Sequence, residues 1–203
     1  MINPNFLLGK PVHFKELCMI YPPKINDVLD NINYPVYKKL LLSSQEDIED
    51  EWVEQKISLD NLPTPLEYVF LMSGTDERIK KIALEAFEFF IHEPVFFLPE
   101  QGKVIIGDLK EALQSAKSVS DLRILDDSNY FDFQNLLRQS IGEKEIEPYN
   151  PNENPKIKYF KAKARLRDRV KAKSKDALNL GSTLATICCM NFGLNPLNIG
   201  ELS

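Results

Sequence analysis

Every second residue from Lys161 to Lys175 is a lysine or an arginine. With Lys156 and Lys158 included, the stretch Lys156–Lys175 carries ten cations against one acid, Asp168. Cations at this density bind anions. The anions can be nucleic-acid phosphates, whose neutralisation makes binding steeply salt-dependent, or the carboxylates of an acidic protein surface. The candidate partner-binding residues are Lys161, Lys163, Arg165, Arg167, Arg169, Lys171 and Lys173. The stretch lacks the several aromatic residues of a platform on which single-stranded bases stack. As a helix it is expected to be mostly solvated, with a thin apolar stripe of Ile157, Phe160, Ala164 and Val170, and Tyr159 and Leu166 elsewhere.

Other chemistry has less to work with. The only histidines are His13 and His92, and neither adjoins a GxSxG turn or a papain-type cysteine pattern. A nucleophile needs a base beside it, so His92 is read as an end-of-helix residue. Cys18, Cys188 and Cys189 are odd in number and two are adjacent, which argues against a disulfide framework. They are expected to be small buried hydrophobes. No spaced Cys/His set closes a zinc shell. The acids at Asp47, Glu49, Asp50 and Glu51, and at Asp126 and Asp127, lack an EF-hand's spacing and glycine. Leu180-Gly181-Ser182-Thr183 is not a phosphate loop. No metal and no cofactor is expected, and an enzyme built on an unrecognised carboxylate pair is the least supported class.

The elements that must hold the basic stretch divide the chain by charge. Residues 1–155 contain 15 basic and 27 acidic residues, a net of −12, whereas residues 156–203 contain 10 and 3, a net of +7. Three prolines, three asparagines and four glutamates in 143–155 mark a linker. The expected organisation is an acidic, mostly helical domain over 1–142, the linker, and a basic helix with a small apolar subdomain over 156–203. No apolar run approaches the roughly 20 residues of a membrane span, and the first residues do not form a signal peptide. The expected location is the cytoplasm.

Apolar spacing and punctuation predict the elements of the first domain. A hairpin, or a strand and helical turn, is expected in 5–21. Ile25, Val28, Leu29 and Ile32 predict an amphipathic helix over Lys24–Asn33, and Tyr37 and Leu40–Leu42 a second one after Pro35. Ser43-Ser44 starts an acidic helix with Ile48, Trp52 and Val53 to bury, whose acids read as a solvated face and Trp52 as a core anchor. Helices follow after Pro65 and over roughly 76–92, the latter with Phe87, Phe89 and Phe90 at the centre of the core. A hairpin is expected at Val95–Leu98 and Lys103–Ile106, turned at Gly102. Helices are expected over Asp108–Lys117 and from Ser128 or Asn129 to a stop at Gly142. A short helix is expected to start at Ser182. The fold class is mainly α: a multi-helix globular domain with a small β-hairpin at about 95–106, plus a helical C-terminal segment.

Several strings resemble one family: Tyr21-Pro22-Pro23, Glu46-Asp47-Ile48-Glu49-Asp50 before Trp52, and Glu85-Ala86-Phe87-Glu88-Phe89-Phe90. To these add Lys161-Ala162-Lys163-Ala164-Arg165 through Arg169, Ile187-Cys188-Cys189-Met190, and Pro196 through Leu202. They are similar to tail assembly chaperone-type proteins of tailed phages and prophages of Gram-positive bacteria. The resemblance implies a small, largely helical, non-enzymatic protein that escorts the tape measure protein and helps recruit tail tube subunits, with possible self-association, in the host cytoplasm. The alternative reading is a nucleic-acid-binding module using 156–175. Set against the acidic first domain, the basic stretch reads better as a connector to acidic protein.

Overall fold

In a computed structural model of the chain, which describes residues 3–108 and 122–189 and side chains as far as residue 172, five short polar residues start helices. Asn3, Ser44, Thr64, Asp76 and Asp126 have extended backbones, and each side chain accepts a main-chain N–H from the first turn. Each thereby satisfies one of the donors that a helix start leaves without an internal partner. Ser44 with Asp47, Thr64 with Glu67 and Asp126 with Asn129 close reciprocal capping boxes.

The elements run α1 (Pro4–Leu7), β1 (Val12–Phe14), β2 (Cys18–Ile20), α2 (Ile25–Leu29), α3 (Tyr34–Leu42), α4 (Gln45–Glu54), α5 (Pro65–Thr75) and α6 (Glu77–Ile91). They continue with β3 (Val95–Leu98), β4 (Lys103–Ile106), β5 (Ile124–Leu125), α7 (Asp127–Ser140) and α8 (Pro155–Cys189). The fold is mainly α. The chain separates into two compact units, Met1–Asn152 and Glu153–Ser203. The helix expected over Asp108–Lys117 lies, beyond Asp108, outside the described residues.

In the first unit α6 is the central helix. Ala83, Ala86, Phe87, Phe90 and Ile91 form its buried face, and α3 and α5 lie against it. Phe87 stacks on Phe133 of α7 at 5.9 Å and meets Phe97 of β3 edge-on at 5.7 Å. Each such side chain contributes roughly 1.5–3 kcal/mol by leaving water. A smaller cluster joins Ile48 and Trp52 of α4 to Tyr68 of α5, so Trp52 anchors a satellite core.

The expected hairpin forms with Val95 opposite Ile106 and Leu98 opposite Lys103. A 3-10 turn at Pro99–Gln101 leads into Gly102 at φ 62°. The first hairpin pairs Val12 with Ile20 and turns through Lys15 at φ 50°. Beyond the expected hairpin, Ile124 and Leu125 add a third, antiparallel strand to β4. Two residues carry no readable alternation, so this pairing comes from the tertiary context.

Two expectations fail locally. The helix predicted over Lys24–Asn33 stops after Leu29, and Ile32 is 90% exposed. The Asn31 side chain accepts the Asn33 N–H at 2.9 Å. That local turn competes with continued helix. At the other end, α8 passes through Gly181-Ser182 without the expected new start. A glycine inside a helix costs only about 1 kcal/mol relative to alanine, too little to break a long one.

The acids of α4 also depart from the expected solvated face. Glu49 and Asp50 are buried. Glu49 accepts the Tyr149 hydroxyl at 2.6 Å, and Glu51 accepts the Tyr68 hydroxyl at 2.8 Å and pairs with Lys39. The segment after Gly142 has no regular structure, yet it is tied to the helices. The Ile146 N–H donates to Asn135 Oδ1, and Glu143 pairs with Arg138 and Lys38.

Candidate functional site

Asn154 starts the basic helix. Its side chain accepts the Lys156 N–H at 2.9 Å and its carbonyl accepts those of Ile157 and Lys158. Pro155 occupies the first helical position, where a missing N–H costs nothing. From there α8 runs 35 residues without interruption, about 50 Å at 1.5 Å per residue.

A cation at every second residue has a definite consequence on a helix. Each step of two residues turns by about 200°, so the charges do not gather on one face. They separate into two ridges of i, i+4 neighbours on roughly opposite sides. Lys161, Arg165, Arg169 and Lys173 form one; Lys163, Arg167, Lys171 and Lys175 form the other. Along each ridge like charges adjoin, which weakens an isolated helix by about 0.2–0.5 kcal/mol per pair. An anionic partner removes that repulsion. The structure thus brings all seven sequence-predicted cations onto one helix but distributes them around it.

The described cations differ in their surroundings. Lys161 pairs with Glu153, and the Lys163 ammonium lies 5.7 Å from the centre of the Tyr159 ring. Arg165 is half-buried, whereas Lys161, Lys163, Arg167, Arg169 and Lys171 are exposed. Of the apolar residues, Ile157, Phe160 and Ala164 are exposed and share a face. Val170 falls away from them, on the side of Tyr159 and Leu166. The four-residue stripe expected from the sequence is therefore two stripes.

The other reactive groups have structural surroundings. The Cys18 thiol, on β2, is buried in the main core, and its pKa is pushed up to about 12, first by burial and then by the Glu93 carboxylate, with Arg123 opposing. At neutral pH it is a protonated thiol rather than a thiolate nucleophile. His92 closes α6 in the left-handed conformation, donates its N–H to the Glu88 carbonyl, and stacks on Tyr21 at 4.0 Å. His13 pairs with Met19 in the first hairpin. Among the described residues no group of acids, histidines or cysteines is arranged to hold a metal ion, and no helix is long and apolar enough to cross a membrane.

Two polar clusters escaped the sequence reading. Glu93 and Arg123 form a two-armed ion pair at 3.1 and 2.7 Å, and the guanidinium also donates to the Leu17 carbonyl. Tyr130, Gln134 and Arg138, four residues apart on α7, all donate to the carbonyl end of α3. The spacing of the second set is visible in sequence; its target is not. Compared with known proteins, the chain matches no family model, and no curated protein and no solved structure shows significant similarity to it.

Proposed function

We propose that the protein is a non-enzymatic assembly factor of the tail-assembly-chaperone kind, acting in the cytoplasm through protein–protein contacts, with α8 as its partner-binding element. One observation carries this reading: a 35-residue helix bearing two ridges of like charge, attached to a chain whose remainder is strongly acidic. Such a helix is relieved by acidic protein. The buried, protonated Cys18 and the helix-capping His92 fit a chain whose reactive groups serve structure. The resemblance noted in the sequence points to tape measure and tail tube proteins as the partners.

Co-expression with the tape measure candidate encoded nearby should yield a soluble complex at low salt. Two folded proteins that never co-purify under those conditions would overturn the reading. The cations encircling α8 also suit a polyanion, which favours nucleic acid as the second reading. Titration with DNA and RNA at two salt concentrations decides it. Binding that ignores salt, or that survives charge reversal at Arg165, Arg167 and Arg169, eliminates nucleic acid.

A further inference from the structure

Nine residues of α8 recur at alternating intervals of four and three: Tyr159, Lys163, Leu166, Val170, Lys173, Ala177, Leu180, Leu184 and Ile187. An interval averaging 3.5 residues keeps them in one column over about four heptads, the pattern of a helix that supercoils with another. Seven of the nine are apolar. In the described part of the column Val170 is 70% exposed and Tyr159 42%, while Leu166 is half-buried.

The charges say which kind of helix fits. Lys163 and Lys173 occupy the column itself, and Arg167 and Arg169 flank it. A second copy of α8 in parallel would set Lys163 on Lys163 and Lys173 on Lys173. Reversed, it would offer an acid to at most one of the two lysines in any register, because the only acids in the helix are Asp168, on the outward side, and Asp176, which flanks the column. The missing negative charge has to come from the partner. Lysines at such positions discriminate between partners at a cost in stability.

We propose that α8 is one strand of a heteromeric coiled coil, and that its partner is an acidic amphipathic helix of another chain, with an apolar column and glutamates or aspartates beside it. The proposal rests on the reading of α8 as a protein-binding element and names the chemistry of what it binds. Duplex DNA would engage both cation ridges but has no use for the apolar column.

The test uses the full chain and a synthetic peptide of about four heptads, with Ile and Leu in its column and Glu at the flanking positions. A matched peptide with Lys for Glu and a short DNA duplex serve as controls. The acidic peptide should bind, more weakly as salt rises, and the Lys peptide should not. Val170→Asn should weaken acidic-peptide binding roughly tenfold, since a valine loses its burial; Val170 is exposed, so the fold tolerates the change. Leu180→Asn should do the same through the far half of the column. Equal binding of the two peptides, or an acidic-peptide affinity indifferent to both Asn variants, overturns the proposal. So does DNA binding that outcompetes the acidic peptide, or sedimentation showing that the chain alone self-associates through Val170. If Val170→Asn leaves the affinity for the tape measure candidate unchanged, the coiled coil falls and the assembly reading stands.

Discussion

Gln134 of α7 donates through Nε2 to the main-chain carbonyls of Leu41, at 2.8 Å, and Ser43, at 3.1 Å. Those carbonyls belong to the end of α3, where a helix leaves acceptors without internal partners. The Tyr130 hydroxyl reaches Leu41 as well, and Arg138 reaches Leu42. One helix thereby caps another through side chains one turn apart. Replacing Gln134 with Leu keeps the volume but strips the donors from a buried site, which costs about 1–3 kcal/mol per unsatisfied group. Leu41 keeps the Tyr130 hydroxyl, so only the part-buried Ser43 carbonyl loses its donor, and chemical denaturation should show a loss of about 1–2 kcal/mol. A loss below about 0.5 kcal/mol would mean that water replaces the amide there.

The two ends of the burial scale give a paired prediction. Phe87 is fully buried between Phe97 and Phe133, so Phe87→Ala should destabilise by about 3–5 kcal/mol through the cavity it leaves. Ile32, which the sequence assigned to a packed helix face, is exposed. Ile32→Ala should change stability by no more than about 0.5 kcal/mol. A large loss at Ile32 would show that this surface is covered in solution.

Gly107 has φ 104°, and a Cβ built there would lie 2.5 Å from the Arg123 guanidinium. That guanidinium is held by Glu93 and Leu17, so it cannot swing aside without breaking the ion pair. Gly107→Ala should lower stability by about 2 kcal/mol from backbone strain and displacement together. Adding Arg123→Ala to that variant should cost less than Arg123→Ala costs alone, because the two residues compete for one space. Strictly additive losses in a double-mutant cycle would contradict the coupling.

Cys18 supplies a pH dependence. Its folded thiol titrates near 12 against an ordinary 9.0, chiefly because it is buried. Between those values the unfolded chain has released the proton and the folded chain retains it. Stability is therefore fully present below about pH 9 and falls as pH rises toward 12, by up to about 1.4 kcal/mol per pH unit from this group. The buried Tyr68 and Tyr130 phenols, also shifted upward by burial, add to the fall above pH 10. Cys18→Ala should show a shallower decline between pH 9 and 10 than the parent chain. The native thiol should also react with a disulfide reagent at pH 8 far more slowly than the unfolded one. Equal slopes and rapid native reaction would place the thiol in contact with water.

Features set by near neighbours along the chain are legible without the fold. Ser44 and Thr64 cap their helices through residues three positions away, Gly102 turns its hairpin, and Gly142 stops α7 at φ 74°. The alternating cations were legible for the same reason, because charge needs no fold to be counted. Tertiary structure decided whatever required a distant partner. It added Ile124 and Leu125 to the sheet, left Ile32 in water, buried Glu49 beside Tyr149, and aimed Gln134 at Leu41, 93 residues away. Continuous helix geometry then split the basic stretch into two ridges, which meet a mostly apolar column at Lys163 and Lys173. A period of two and a period of 3.6 share a sequence but not a surface.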